Sequence, residues 1–374
     1  MNTADDVKSP KYKKIYRSIK DAIGSGEYKP GQRLPSESEL VGAFGASRIT
    51  VNRALRELQL AGIIDRRAGS GSYVRAQPER SYTFGLLIPE LGETEIFEPI
   101  CRGMALAEET EHRHALLWSK TLGDAEPKES HATELCQRMV SQKVAGAFFA
   151  PLELTPTKDA VNQVIVETFS RAGIPIVLLD RDLVAYPARS RYDLVGIDNR
   201  RAGYTITAHM LEVGCRRAAF VGRPGSAPTV EARIAGYREA ILDSHCEWDP
   251  NFVQRIAPWD HNAVKEMLAT VKPDGIVCAN DFTAANLMKT LGALGVRVPE
   301  EVRLAGIDDV KYASLLPVPL TTIHQPCAKM GAAAVAAMLQ RIHNPGLPAR
   351  DILLDFHLVV RESTVGRAAH PTVA

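Results

Sequence analysis

The sequence predicts two fold classes in succession: a small α+β module of three helices and a hairpin over residues 1–76, then a doubly wound α/β body over residues 83–364. Three observations predict this. Charge is split: residues 1–80 hold 15 Lys and Arg against 9 Asp and Glu and the rest holds 30 against 35, although the 374-residue chain has a net charge of only +1. The first part shows helical periodicity followed by a glycine-rich hairpin. From Tyr82 onward, short apolar runs alternate with helical stretches in two successive series.

Composition bounds the class before any motif does. With 45% hydrophobic and 24% charged residues, the chain reads as an ordinary globular protein. The opening MNTADDVKSPKYKK is polar, and no run approaches the roughly 18 apolar residues of a membrane span, so neither export nor a membrane partner is expected and a cytoplasmic location is. The six cysteines are widely spaced with no CxxC pair, which points away from both zinc and a disulfide framework. No metal and no cofactor are expected. A basic module joined to an acidic body implies a nucleic-acid partner for the module alone.

Within the module, Ser9-Pro10 opens a first helix whose apolar positions are Tyr12, Ile15, Tyr16, Ile19 and Ile23, and Gly24 and Gly26 stop it. Ser36 and Glu39 form a capping box for a short second helix through Leu40 and Phe44, and Gly45-Ala46 is a tight turn. Ser47 caps a third helix with Val51, Ala54, Leu55 and Leu58 on its apolar stripe and Arg48, Asn52 and Arg56 on another face. The segment that follows, RRAGSGSYV from Arg66 to Val74, has two readings. A nucleotide phosphate cradle would follow a buried strand and open a helix with a Lys or a later acid, and none of this is present. Ile63-Ile64 and Tyr73-Val74 instead read as strands closed by a glycine turn. Two helices about a glycine turn, then a basic hairpin, predict a winged helix-turn-helix that binds double-stranded DNA. Its third helix would offer base-reading side chains, and Arg66 and Arg67 would reach phosphates or a narrow minor groove.

In the body, buried strands are predicted at 84–90, 115–118, 146–151, 174–180, 194–198, 218–222, 273–281 and 302–309, with helices at 98–112, 130–143 and 158–172 between the early ones. Doubly wound sheets bind ligands at the carboxyl ends of their strands. The polar residues there are Asp180-Arg181, Asn280-Asp281 and Asp308-Asp309, with Arg233 and Trp259-Asp260 in connecting segments. Each such Asp could equally cap the next helix. A glycoside-hydrolase carboxylate pair is the one enzymatic alternative, and no activated nucleophile, HExxH or P-loop supports catalysis, so no enzyme and no catalytic residue is expected.

These residues carry two resemblances. PKYKKIYRSIKDAIGSGEYKPGQRLPSESEL and ASRITVNRALRELQLAGIIDRRAGSGSYV resemble the winged-helix domain of the GntR family of bacterial transcription regulators. That resemblance implies a DNA-binding set of Ser36, Ser38, Ser47, Arg48, Ile49, Thr50, Asn52, Arg53, Arg66, Arg67, Gly69, Ser70 and Gly71. Ser38 and Asn52 stand where many members carry arginine.

ANDFTAANLMKTLGALGVRVPEEVRLAGIDDVKYASLLPVPLTTIHQP and the terminal LVVREST resemble the effector domain of the LacI family and the periplasmic sugar-binding proteins. This implies two lobes joined by three crossings: lobe 1 at about 83–187 and 318–345, lobe 2 at about 188–317 and 346–364, a linker at 77–82 and a tail at 365–374. It also implies a sugar held by Thr94, Ile96, Phe97, Asp180, Arg181, Arg233, Trp259, Asn280, Asp308 and Gln325. Aromatic faces would meet C–H surfaces while Asp, Arg and Asn engage hydroxyls. The fusion resembles arabinose-repressor-like regulators and implies a repressor released by a small-molecule effector, with pentoses as one class. A two-fold operator implies a homodimer. The alternatives are a purine or nucleoside effector, an activator, and a transporter's solute-binding protein.

Overall fold

The computed structural model describes residues 10–67, 70–75, 82–88, 95–107, 114–118, 128–246 and 248–365. They fall into two compact units, one ending at Arg75 and the other beginning at Tyr82.

The first unit contains helices α1 (Lys11–Gly24), α2 (Glu37–Phe44) and α3 (Arg48–Leu60), then antiparallel strands β1 (Ile64–Arg67) and β2 (Gly71–Val74). Pro10 itself occupies the N-cap of α1 without a side-chain bond, and the expected cap Ser9 lies outside the described residues. The α2 capping box forms as its spacing predicts, with the Glu39 amide donating to Ser36 Oγ at 3.3 Å and the Ser36 amide donating to Glu39 Oε2 at 2.6 Å. Gly45, at φ 54°, takes the left-handed turn that ends α2 and aims α3. Ile15, Ile19, Leu40, Val51, Leu55, Leu58, Ile64 and Val74 make one core. That core clamps α3 to the hairpin and leaves the polar face of α3 outward. Residues 32–34 run along β2, with the Leu34 amide donating to Ser72 O and the Val74 amide to Gln32 O, both at 2.8 Å.

The second unit begins with β3 (Tyr82–Leu87), α4 (Phe97–Ala105), β4 (His114–Leu117), α5 (Lys128–Ser141), β5 (Gly146–Phe149), α6 (Lys158–Arg171), β6 (Ile176–Leu179) and β7 (Asp193–Ile197). It continues with α7 (Asn199–Glu212), β8 (Ala218–Gly222), α8 (Pro228–Asp243), β9 (Val253–Arg255), α9 (His261–Val271), β10 (Gly275–Cys278), α10 (Asp281–Ala293), β11 (Arg303–Asp308) and β12 (Thr321–His324). It ends with α11 (Cys327–His343), β13 (Asp351–Leu354), β14 (His357–Val359) and α12 (Glu362–Val365). One sheet has the order β13-β7-β6-β5-β3-β4 and is parallel throughout; the other, β14-β12-β11-β10-β8-β9, is parallel except for the β12–β14 pair. Central strands of both sheets, such as Gly146–Phe149 and Gly275–Cys278, are fully buried, which is why these segments read as unbroken apolar runs.

The crossings between lobes differ from the sequence expectation. β7 ends at Ile197 in the first sheet before α7 joins the second, β12 ends at His324 in the second sheet before α11 packs on the first, and β13 and β14 stand on opposite sheets on either side of residues 355–356. The expected positions near 187, 317 and 345 are therefore about seven to ten residues early. AYPARSR (185–191) and NPGLPAR (344–350) have the composition of linkers, but they are loops that lead into β7 and β13 within the first lobe.

Two pairs of helices cross with backbone against backbone. A methyl group added at Gly203 of α7 would overlap the Arg233 carbonyl oxygen of α8, and one at Gly236 of α8 would overlap the Arg200 carbonyl oxygen of α7. In the first lobe, Gly103 of α4 and Gly331 of α11 stand in the same relation to Ala328 and Ile100. Only glycine permits this approach.

Candidate functional site

Two regions gather the polar residues singled out above. On the first unit, Ser47 caps α3, its Oγ lying 2.8 Å from Thr50 Oγ1 and accepting from the Thr50 amide at 3.3 Å. Arg48 and Ile49 follow on the first turn with side chains open to solvent, Ile49 at 83% exposure. An exposed isoleucine beside an exposed arginine at a helix start suits contact with another surface. Glu37 of α2 lies beneath them: Arg48 Nε donates to its Oε2 at 3.3 Å, while Asn52 Nδ2 at 3.3 Å and Arg66 Nη2 at 2.5 Å donate to its Oε1. Arg66 Nη1 also donates to Asn52 Oδ1 at 3.2 Å, so one carboxylate ties the third helix to the hairpin.

The remaining positions of that set are placed less uniformly. Ser36 is engaged in the α2 cap, and Ser38 is exposed beside it. Arg53 turns back over the Tyr12 ring at 3.9 Å and pairs with Glu57, which commits it to α1. Arg67 lies over the Tyr73 ring at 4.7 Å, and Ser70 Oγ meets Tyr73 Oη at 2.7 Å. Gly71, at φ 111°, lies against the Arg33 guanidinium, where a side chain would collide. Gly69 lies outside the described residues.

The second region is the cleft between the lobes. Ile96, Phe97, Asp180, Arg181, Arg233, Asn280 and Asp308 line it together, joined by Glu153, Arg223, Ser226 and Thr229. Asp180 follows β6 and Asp308 ends β11, with φ angles of 68° and 135° that side-chain-bearing residues rarely adopt. Such backbone costs about 1–3 kcal/mol per residue and marks sites where position outweighs local comfort. Arg233, 4% exposed, donates from Nε to Asn199 Oδ1 at 2.8 Å and from Nη1 to Ala279 O at 2.5 Å, and its Nη2 stands 3.7 Å from Asp308 Oδ1. Gln325 Nε2 donates to the same Asp308 oxygen at 2.7 Å. Arg181 donates to Glu153 and lies 5.5 Å from the Phe97 ring centroid.

Electrostatics there are set by burial. Burial pushes the Asp308 carboxyl well above its ordinary value, against the pull of Arg233 and with the push of Asp281 and Asp180. Asp180 is likewise raised by burial, with Arg181 and Arg233 opposing. Asp180 Oδ1 and Gln325 Oε1 are buried without a hydrogen-bond partner. An unpaired buried acceptor costs about 1–3 kcal/mol, so a donor placed at either atom would be favourable. The lobes meet beside them: the Leu154 amide donates to Gly225 O, and the Ala227 amide to Glu153 Oε2, each at 2.8 Å.

Of the sequence-predicted ligand set, two members stand back from the lining. Gln325 reaches the cleft through Asp308. Trp259, 50% exposed, packs edge-on to Phe282 with ring centroids 6.3 Å apart and meets Arg223 at 5.7 Å, so Arg223 rather than the indole faces the cleft. Asn280 both lines the cleft and caps α10, its Oδ1 accepting from the Thr283 amide at 2.9 Å. Thr94 lies outside the described residues. Sequence reasoning missed Glu37, Glu153 and Arg223. Arg223 directly follows β8 and answers the strand-end rule, whereas Glu153 lies four residues beyond β5 and nothing local marks it. Among the described residues no group of three His, Cys, Asp or Glu could hold a metal, and no helix is long and apolar enough to cross a membrane.

A recognition helix capped beside a basic hairpin, followed by a two-lobed cleft, defines a DNA-binding regulator whose second domain senses a small molecule. Residues 11–74 are a helix-turn-helix domain matching the bacterial regulatory proteins of the gntR family, and residues 207–364 match the periplasmic binding protein-like domain. The arabinose metabolism transcriptional repressor of Geobacillus stearothermophilus is 28% identical over 373 residues, covering 95% of this chain and 98% of its own length. The HTH-type transcriptional repressor PurR of Aliivibrio fischeri is 26% identical over 260 residues, 68% of this chain and 73% of its own. The solved transcriptional regulator CelR–cellobiose complex superposes with a TM-score of 0.63 at 25% identity, over 84% of this chain and 90% of that one. These relatives are named as transcription regulators, and the match over residues 11–74 gives this chain a regulatory DNA-binding domain.

Proposed function

We propose that this protein is a cytoplasmic homodimeric repressor whose operator affinity falls when a sugar enters the cleft. The carrying observation is a buried acceptor without a partner, Asp180 Oδ1, in a cleft lined also by Asp308, Arg233 and Asn280. A hydroxyl of a sugar ring would supply the missing partner. At about 1 kcal/mol as a lower bound, satisfying it favours the liganded closed form by roughly fivefold. The reading draws support from the arabinose repressor and cellobiose complex among its relatives. On the reader, Arg48, Ile49, Thr50 and Asn52 would meet base edges and phosphates while Arg66, Arg67 and the wing tip grip the backbone. The linker at 77–82 would separate the reader from the body.

The test is an operator gel shift with L-arabinose, D-ribose, D-xylose, cellobiose, hypoxanthine and guanine added in turn. Coupling of about 1–3 kcal/mol should weaken operator binding roughly 5- to 150-fold for the true effector. Arg233→Ala and Asp308→Asn should bind operator normally and fail to release it. A response confined to the purines would overturn the sugar reading, and tightening in place of release would make the effector a co-repressor.

A further inference from the structure

The position beside the cleft that best suits a phosphate is already filled by the chain itself. α8 is sixteen residues long, and its N-cap residue, Ala227, supplies no side-chain cap. A helix N-terminus with unpaired amides attracts anions, and Arg223, Ser226 and Thr229 surround this one. Yet the Ala227 amide donates to Glu153 Oε2, a carboxylate from the opposite lobe that is 7% exposed. The other Glu153 oxygen accepts from Arg181. Burial would raise this carboxyl, but the Arg181 guanidinium and the Ala227 amide outweigh it and hold it below the usual carboxylate range. Independently, Asp180 Oδ1, a buried atom of the cleft lining without a hydrogen-bond partner, belongs to a carboxyl group. A phosphate dianion offers only more acceptors; a hydroxyl offers a proton.

We propose that Glu153 is a specificity-determining residue that restricts the cleft to uncharged, hydroxyl-bearing ligands and shuts out their phosphate esters. This rests on the sugar-effector reading above and narrows it. An incoming phosphate at the α8 terminus would meet the Glu153 carboxylate, held ionised at low dielectric, and like charges juxtaposed in this way cost several kcal/mol, roughly. To take the α8 terminus it would have to displace Glu153, which would strip Arg181 of that partner and separate the lobes where Glu153 bridges them. A neutral sugar leaves the Glu153–Arg181 pair and the bridge to Ala227 intact.

The experiment titrates the full chain, by calorimetry and by thermal shift, with L-arabinose, D-ribose and cellobiose, each beside its phosphate monoester, and with inorganic phosphate. Parent, Glu153→Gln and Glu153→Ala are compared; the Gln variant keeps an oxygen for the Ala227 amide should the Ala variant fail to fold. The parent should bind a neutral sugar at least about 100-fold more tightly than its ester, and Glu153→Gln should narrow that ratio by roughly tenfold or more, chiefly by tightening the ester. Inorganic phosphate should stabilise Glu153→Ala and not the parent. The proposal is overturned if the parent binds an ester as tightly as the free sugar, or if the ratio is unchanged in Glu153→Gln. If neither sugars nor esters bind, the sugar-effector reading has failed and this inference falls with it, an outcome distinct from the others because no arm responds.

Discussion

Replacing Arg233 by Met should expose how much of the sensor unit depends on charge compensation inside the cleft. The guanidinium is buried, bonds Asn199 and Ala279, and stands 3.7 Å from Asp308, itself only 8% exposed. Methionine fills most of the volume but leaves a buried carboxylate without its cation, which costs about 3–5 kcal/mol. At about 2–4 °C per kcal/mol for a domain of this size, the melting temperature should drop by roughly 6–20 °C. Asp308→Asn removes the charge and keeps an oxygen for Gln325 Nε2, so it should cost less. The double variant should then recover part of the loss, with a coupling of at least about 1 kcal/mol. pH sharpens the test. Because the folded pKa of Asp308 is raised by burial, the folded state holds its proton to higher pH than the unfolded chain, and this group's contribution to stability falls as pH rises from about 4 through the folded value. Loss of Arg233 raises that value further, so the deficit of Arg233→Met should grow as pH rises past the parent's folded value and lose that dependence beside Asp308→Asn. Thermal denaturation of the four proteins across pH measures this. Additive single effects within about 0.5 kcal/mol, or a deficit independent of pH, would refute the compensation argument.

Three further outcomes are expected. Arg48→Ala and Arg66→Ala should each lower the salt slope of operator binding by about one unit where a phosphate contact is lost, or cost about 1–3 kcal/mol at one base where a base contact is, as gel shifts at several salt concentrations would reveal. Glu37→Gln should change stability by less than about 1 kcal/mol, since its arginine partners are partly solvated, yet tighten non-specific DNA binding several-fold by releasing Arg48 and Arg66, which a competition assay with random duplex would detect. Gly203→Ala should destabilise the sensor unit by about 1–3 kcal/mol or more through overlap with the Arg233 carbonyl, read as a fall in the melting temperature of the full chain with operator contacts unchanged.

The first unit was legible in the sequence nearly residue by residue because its signals are local. A capping box at Ser36 and Glu39, a left-handed Gly45 and a cap at Ser47 each fix a boundary within a few residues of the atoms responsible. The two sheets were legible as a class through their buried apolar runs. Where the chain changes lobe was not, because membership of β7, β12 and β13 is decided by pairing with strands far away in sequence, and the loops before β7 and β13 look more like linkers than the crossings do. The cleft followed the same division. Asp180, Asp308 and Asn280 announced themselves by standing at strand ends, whereas the role of Glu153 depends on a helix in the other lobe, a relation that no local pattern encodes. Trp259 stands outside the cleft lining for a reason no local pattern carries: the indole packs edge-on to Phe282 and beside Arg223, which itself lines the cleft.

The glycine contacts between helices bear on how motion would pass through the sensor unit. The first crossing enters the second lobe through α7, and the second crossing returns to the first lobe through α11. Each of these helices packs backbone to backbone with a neighbour, α7 with α8 and α11 with α4, at a separation that leaves no room for a side chain. Torsion in the few residues of a crossing therefore turns a two-helix block rather than bending a single rod. α8 carries Arg233 and the amide that meets Glu153, and α4 carries Phe97. The crossings work as axles set directly into the blocks that hold the two walls of the cleft, so a few degrees of rotation there would reach the ligand with little lost to flexing in between.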